Sequence, residues 1–233
     1  MTPADSLWAA ADSLRTNQMR SALTALGIII GVASVVAMVA IGAGAEHRIE
    51  TAINNVGSNI LVVGNGSRTP GGRRIGRGNW LTLTEEDAET LAREIPSVVI
   101  AAGSAGGTGH VVYGNKNWAT ALRGVTPDYF IARNWVIADG RDMTQDELRS
   151  AAKVALLGQS VADELFGGVT PIGQVIRVKR VPFTVIGVMR AKGPALGGRD
   201  QDDIVFMPLS TAKKRVLGGR RLRGDLLGQI TVK

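Results

Sequence analysis

An uncharged stretch of 25 residues, Ser21 to Ala45, constrains this chain more than any other feature of its sequence. Arg20 precedes the stretch and Glu46 follows it. A helix of that length measures about 37 Å, which exceeds the ~30 Å hydrocarbon core of a bilayer. The sequence therefore predicts a transmembrane helix at 21–45, followed by a large water-exposed domain at 46–233.

A cleavable secretion signal is the competing interpretation, because Ala43-Gly44-Ala45 has the small-x-small form of a cleavage site. The apolar run Leu23–Ile41 has 19 residues, however, whereas the apolar core of a signal peptide has about 7–15. The preceding segment carries two acidic residues, Asp5 and Asp12, which is unusual for the basic start of a signal. A retained span is favoured.

The segment 1–20 predicts a cytoplasmic amphipathic helix on the membrane surface, since apolar residues recur in it at helical spacing. Trp8 suits the depth of the lipid headgroups, and Arg15 and Arg20 serve as further membrane-surface anchors. By the positive-inside rule these two arginines also place the N-terminus in the cytoplasm.

Small residues within the span predict packing against another helix. Gly27 and Gly31 form a GxxxG pair, and Ala33 and Ala37 repeat the spacing. Small residues let two backbones approach closely and gain dispersion contacts that lipid does not offer. Chance glycines in an apolar helix are the alternative explanation.

Beyond the span, helical and strand patterns alternate without a strict βα repeat, which predicts an α+β domain. A stalk is expected to continue the span to Val56, and the segment 174–189 reads as a hairpin with Ile176 and Val178 buried. Predicted helices are 84–95 (capped by Thr84), 160–166 and 210–216; predicted strands are 98–102, 110–113, 120–125, 154–157, 204–207 and 228–233.

Three further segments carry specific expectations. Asn59–Val63 reads as a buried strand because it is a short, β-branched apolar run. Gly103–Gly109 has the composition of a flexible turn between two strands. The aspartates of the segment 199–203 suit a turn with capping and salt-bridge roles better than a calcium loop, since their spacing does not match an EF-hand.

Composition argues against catalysis and nucleic-acid binding. The chain has no cysteine, two isolated histidines and no Walker A sequence. No nucleophile–base pair is assembled by spacing, so we expect no enzyme activity and no cofactor. The net charge is +7, but aromatic residues are not interleaved with the basic ones as nucleic-acid stacking requires, so we expect no nucleic-acid partner.

The residues Asn17–Ala45 resemble the opening span of MacB-type ABC transporter permeases, within the FtsX-like permease superfamily. Arg180 departs from the small turn residue often found at its place in that family. Further segments similar to the family, in the same order, are 111–130, 133–147, 154–168, 171–189 and 198–212.

The resemblance implies an architecture. The periplasmic domain lies between the first and second of four spans and has two lobes, one porter-like and one smaller and inserted. Three further spans are expected after Lys233, so that the chain reads as an N-terminal fragment. A separate ATPase subunit is implied, since Met1 directly precedes the surface helix. The expected location is the bacterial inner membrane, with the main domain in the periplasm.

The resemblance also implies a function. A homodimer of the permease transmits ATP-driven motion from cytoplasmic ATPases to the periplasmic domain, which meets a periplasmic adaptor and an outer-membrane channel to expel drugs, peptides or lipoproteins. ATP is used by the partner subunit. An FtsX-like regulator of cell-wall hydrolases and a secreted binding domain are the alternatives. A turn with Tyr113, Asn115, Asn117 and Trp118 is the candidate partner contact, with a purely structural turn as the other interpretation.

Overall fold

A computed structural model describes residues 8, 15–56, 59–66, 81–195, 198–218 and 224–233 of the chain. Most of the predicted surface helix, 1–7 and 9–14, lies outside the described residues. The chain divides into two compact units, Met1–Thr51 and Ala52–Lys233.

The predicted span and stalk form one helix, α1, of 39 residues from Gln18 to Val56. No proline interrupts its backbone hydrogen bonds. Among the described residues it is the one helix long and apolar enough to cross a membrane. The Oγ1 of Thr24 and the Oγ of Ser34 donate to carbonyl oxygens one turn earlier, at 2.8 and 2.7 Å. These hydroxyls therefore have partners without water.

The rest of the described chain is a mixed α/β domain, as predicted. Its helices are α2 (Glu85–Glu94), α3 (Asp128–Ala132), α4 (Gln145–Arg149), α5 (Gln159–Phe166) and α6 (Leu209–Thr211), which continues as a π-helix over Ala212–Val216. Its strands are β1 (Leu61–Gly64), β2 (Ala101–Tyr113), β3 (Lys116–Val125), β4 (Ile137–Gly140), β5 (Val154–Leu157), β6 (Val175–Val178), β7 (Val181–Met189), β8 (Ile204–Pro208) and β9 (Gln229–Val232). The two-lobe division stays a prediction.

The nine strands of the described residues belong to one sheet, in the order β1-β9-β2-β3-β8-β5-β7-β4. β6 lies off this path and pairs antiparallel with both β2 and β7. Backbone hydrogen bonds therefore join six strands into a closed ring, in the order β2, β3, β8, β5, β7 and β6. A closed ring has no free edge to pair with another chain.

Aliphatic and aromatic side chains from the ring and from α5 form the largest core cluster. Val111, Leu157, Ile176 and Val205 are fully buried in it, and Phe166 of α5 packs among them. Fully burying such a side chain contributes about 1.5–3 kcal/mol. Aliphatic side chains are the majority in this cluster, as the composition of 4% aromatics implies, and Phe166 and Phe183 are its two phenylalanines.

The predicted turn at Gly103–Gly109 is wrong, because these residues are the middle of the 13-residue strand β2. The glycines leave room for side chains that pack against the strand. A Cβ added at Gly103 would lie 2.9 Å from the Leu227 side chain, and one at Gly109 would lie 2.7 Å from that of Leu122. The glycine content reflects close packing rather than a bend.

The prediction of a buried strand at Asn59–Val63 is also wrong, because the strand found there is exposed. β1 covers residues 61–64 and occupies the end of the sheet, where β9 is its partner among the described strands. Leu61 remains 65% exposed and Val62 46% exposed. A strand at an edge has a neighbour on one side only, so its apolar composition does not by itself bury it.

The predicted hairpin at 174–189 is confirmed as β6 and β7. Ile176 and Val178 are fully buried, while Arg177 and Lys179 point to solvent. The two turn residues, Lys179 and Arg180, have φ values of +46° and +76°. Positive φ at both positions is typical of a type I′ turn, which favours Asn and Gly.

Substituting Arg180→Gly should therefore stabilise the protein by roughly 1 kcal/mol, because glycine adopts positive φ without a steric cost. Urea unfolding of the chain in detergent measures the change. Arg190→Gly is the matched control, since Arg190 is an exposed arginine without positive φ, and it should not stabilise. A glycine at 180 that lowers stability would contradict the turn geometry.

Two helices begin with the same capping device, in which a threonine and an acidic residue three positions later bind each other's backbone N–H. Thr84 caps α2 as predicted, and Thr144 caps α4. At α4 the Arg141 guanidinium also bridges the Glu147 carboxylate at 2.6 Å. This hydrogen bond is the main cause that lowers the pKa of Glu147 to about 2, aided by Thr144 and opposed by partial burial.

A lowered carboxyl pKa stabilises the fold above the ordinary pKa of 4.5, and that contribution disappears as the pH falls to about 2. Arg141→Met should raise the pKa of Glu147 and so flatten the fall of stability across this interval. Urea unfolding at a series of pH values measures the slope. Arg149→Met, on the exposed end of the same helix, should keep the wild-type slope; an unchanged slope in Arg141→Met would refute the assignment.

Candidate functional site

The small residues of the span lie open on α1. A Cβ added at Gly27 or Gly31 would meet no atom within 4 Å, and Ala33 and Ala37 are exposed. At 3.6 residues per turn, the alanine pair lies about 120° around the helix from the glycine pair. The two pairs therefore mark different faces, and a single neighbouring helix can contact one pair but not both.

The predicted surface anchors are exposed. Trp8 is 76% exposed, and Arg15 and Arg20 are also accessible. Apolar side chains of the span are exposed in the same way, for example Ile28 at 62%. These accessibilities fit a helix whose surroundings are lipid, and the anchoring role stays a prediction.

The four predicted partner-contact residues come together at one β-hairpin, where β2 turns into β3 through Gly114 and Asn115. Gly114 has a φ of +57°. Asn115 and Asn117 are exposed, whereas Tyr113 and Trp118 are half-buried. The tip of the hairpin is thus polar and accessible.

The two half-buried aromatic residues support this tip from inside. The Tyr113 ring lies 4.1 Å from the Phe166 ring, and its hydroxyl donates to Gln174 at 3.3 Å. The Trp118 indole N–H donates to the Asp203 carboxylate at 2.9 Å. Tyr113 and Trp118 therefore have structural roles, and Asn115 and Asn117 are the pair available to a partner.

A cavity of about 700 Å³ adjoins the hairpin on the outer face of β2, β3 and β6. Strand register places Val112 of β2 between Asn117 of β3 and Arg177 of β6. The His110 Nδ1 lies 3.1 Å from the Asn117 Oδ1. We call this feature the basic groove; its lining side chains include Thr108, His110, Val112, Ala119, Arg177, Lys179 and Arg180.

Three cations line the basic groove, and among its lining residues there is no carboxylate. Such a surface has a positive potential that suits an acidic partner. The alternation of Arg177 and Lys179 with buried residues predicted their exposure. No local pattern signalled the β2–β6 pairing, which brings Arg177 and Lys179 beside the hairpin tip.

The described residues hold no group of three or more potential metal ligands. The aspartates after β7 instead stabilise a turn, as expected from the sequence. Asp202 accepts from the backbone N–H groups of Lys192 and Gly193, at 2.9 and 2.8 Å. Asp200 accepts from the Ser160 hydroxyl at 2.6 Å.

Known proteins are similar to this chain in sequence and in fold. A family model described as MacB-like periplasmic core domain matches residues 21–233. A macrolide export ATP-binding/permease protein MacB from Syntrophobacter fumaroxidans is 43% identical over 91% of this chain and 30% of its own length. Its counterpart from Chlorobaculum tepidum is 44% identical over 91% of this chain and 32% of its own length. This chain thus spans about a third of the length of these relatives.

The fold is similar to that in the crystal structure of the periplasmic region of MacB from Actinobacillus actinomycetemcomitans. The TM-score is 0.62 at 27% identity, and the match covers 78% of this chain and 77% of the other.

The open glycine pair leads to a prediction about self-association. Gly27→Leu combined with Gly31→Leu should leave the unfolding of the outer domain unchanged, because neither site has a neighbour to displace. Energy transfer between labelled chains in lipid vesicles should fall, since the helices can no longer approach closely. Ala33→Leu combined with Ala37→Leu, on the other face, should retain the transfer; equal loss in both variants would exclude the glycine face.

Proposed function

Because the chain belongs to the family of MacB-like periplasmic core domains, we propose that it is the membrane-anchored outer part of an export permease. In this proposal α1 crosses the bacterial inner membrane with its N-terminus in the cytoplasm, and residues 46–233 fold in the periplasm. The exposed apolar side chains of α1 and the two arginines that precede them support this orientation.

The proposed mechanism is the transmission of motion. A cytoplasmic ATPase binds and hydrolyses ATP, and the resulting movement travels along α1 to the outer domain, so that no cofactor is needed in this chain. The continuity of α1 from Gln18 to Val56 is the observation that carries the proposal. A helix without proline keeps every interior backbone hydrogen bond and resists bending.

The proposed partners follow from the two accessible surfaces. A second copy of the permease packs against Gly27 and Gly31 in the bilayer. A periplasmic adaptor, joined to an outer-membrane channel, contacts the hairpin tip at Asn115 and Asn117 and the adjoining basic groove. Macrolides are the first substrates to test, because the relatives are named as macrolide exporters; other drugs, peptides and lipoproteins are further candidates.

The mechanism is tested at Gly44 of α1, which lies near the end of the uncharged stretch and two residues before Glu46. Gly44→Pro removes a backbone hydrogen bond and bends the helix at a cost of ~3 kcal/mol. Gly44→Ala is the matched control, because a Cβ there meets no atom within 4 Å. In cells that also produce the ATPase, adaptor and channel, Gly44→Pro should abolish macrolide resistance, and Gly44→Ala should keep it.

Both variants are also extracted with alkaline carbonate to confirm that they remain in the membrane. Export by Gly44→Pro at the level of Gly44→Ala would rule out transmission along α1. A wild-type chain that washes off the membrane would instead favour a secreted domain.

A photo-crosslinker at Asn115 tests the partner surface in the same cells. Capture of the adaptor supports the proposal, whereas capture of a cell-wall hydrolase would favour the regulatory alternative. Arg149, exposed on α4, is the control position.

A further inference from the structure

A second cavity, of about 390 Å³, opens between β3, β8 and the described residues of 133–135, 192–195 and 199–203. We call it the cationic cleft. Its volume lies within the range of small-molecule sites, about 300–1,000 Å³. The residues that matter for its chemistry are Arg123, Arg133, Trp135, Lys192, Arg199 and Phe206.

One wall of the cationic cleft is aromatic. Phe206 of β8 is fully buried, and the Trp135 ring meets it edge-on with 5.3 Å between ring centroids. The Tyr129 ring lies 6.1 Å from Phe206 on its other side. Phe206 and Tyr129 are buried, so the half-buried Trp135 supplies the apolar surface that a ligand can reach.

Cationic side chains surround these rings. The Lys192 Nζ lies 4.7 Å from the centroid of the Trp135 ring and donates to the Arg133 carbonyl oxygen at 2.6 Å. The Arg133 guanidinium carbon lies 5.9 Å from the Tyr129 ring. Arg123 donates to the Tyr129 hydroxyl at 2.5 Å.

The arginines of the cationic cleft have no anionic partner among the described residues. Within the described part of the chain, no carboxylate oxygen lies within 4.0 Å of the guanidinium groups of Arg123, Arg133 or Arg199. The Arg133 Nε is moreover buried without a hydrogen-bond partner. A buried donor without a partner is destabilising, so its retention calls for a physical explanation.

Two carboxylates do line the cationic cleft, but both are held by other groups. Asp203 accepts from the Trp118 indole, and Asp200 accepts from the Ser160 hydroxyl. Four cationic side chains therefore face two carboxylates whose hydrogen bonds lie elsewhere, and positive charge dominates.

The titration of Lys192 agrees with an excess of positive charge. Burial, followed by repulsion from Arg133, lowers the pKa of Lys192 to about 8, and Asp202 opposes the shift. An anion placed between Arg133 and Lys192 would remove this repulsion and raise the pKa again.

We propose that the cationic cleft binds a small aromatic carboxylate, with its carboxylate against Arg133 and Lys192 and its ring against Trp135. A charge-assisted hydrogen bond to a partly desolvated arginine is about twice as strong as a neutral one. The ligand's ring packs on the accessible part of Trp135, beside the Lys192 ammonium, so that both halves of the ligand find complementary surfaces. This site is independent of the export mechanism, because it needs neither the ATPase nor the adaptor.

The test is calorimetric titration of the full chain in detergent with N-acetyl-L-phenylalanine. Its amide, N-acetyl-L-phenylalaninamide, has the same ring without the charge, and inorganic phosphate has charge without the ring. Saturable binding of the acid, at least tenfold tighter than that of either control compound, is the expected result. Equal binding of acid and amide, or no binding of the acid up to about 10 mM (~3 kcal/mol of affinity), would overturn the proposal.

Variants assign the binding to the cleft. Arg133→Met and Lys192→Met keep the apolar stems and should each weaken binding by about tenfold or more, the equivalent of one charge-assisted hydrogen bond. Arg190→Gln removes an exposed charge outside the cleft lining and should leave affinity unchanged. Equal weakening by Arg190→Gln would mean that net charge alone attracts the ligand and would overturn the site.

The pH profile gives a second readout should Arg133→Met fail to fold. The probe's carboxylate stays ionised from about pH 6 to about pH 10, so the profile reports on the cleft. Affinity should fall as the pH rises through about 8, the pKa of Lys192, and Lys192→Met should abolish this fall. The other charged groups that face Lys192 are Arg123, Arg133 and Arg199 and the carboxylates of Asp200, Asp202 and Asp203. A wild-type affinity independent of pH would contradict the role of Lys192.

Discussion

The pairing of β6 with two strands at once is the constraint on which the outer domain depends. Val178 of β6 pairs with Val111 of β2 and also with Val181 of β7. These bonds close the ring of six strands around its aliphatic core. Without them, the edges of β2 and β7 would present unpaired backbone groups to water, and Ile176 would lose its fully buried position.

The closed ring also determines where the basic groove and the cationic cleft lie. The basic groove exists because β6 brings Arg177 beside Val112 on the outer face of β2. The cationic cleft exists because the parallel pairing of β3 with β8 sets Arg123 beside Phe206, with the segments after α3 and β7 on either side. Each surface collects side chains from strands that are distant in sequence.

Glycine makes this arrangement possible at several points of close approach. A Cβ at Gly124 of β3 would lie 2.2 Å from the Cβ of Ala212, so the π-helix packs directly on the strand. Gly158 similarly lies against the carbonyl of Asp202, where a Cβ would be 2.1 Å away. Glycines that suggest flexibility in a sequence here serve tight packing, which is why the turn expected at Gly103–Gly109 is a strand.

Features that depend on neighbouring residues were predictable. α1 follows from the length and apolarity of one segment, the Thr84 cap follows from a residue three positions away, and the hairpin of β6 and β7 follows from alternation. The exposure of Asn115 and Asn117 belongs to the same class, because a two-residue turn is local. The supporting roles of Tyr113 and Trp118 could not be predicted in this way. Their partners Phe166 and Asp203 lie some 50 and 85 positions further along the chain.

The sequence by itself therefore determined an apolar helix of membrane-spanning length at 21–45 and an α+β domain after it. Periodicity, capping and apolar length act within a few residues and can be read directly. The tertiary structure alone decided the closed ring, the edge position of β1, the basic groove and the cationic cleft. Strand pairing joins residues that lie far apart in the sequence, so no periodic pattern in the sequence reports it. The packing of side chains from several strands selects one pairing among many.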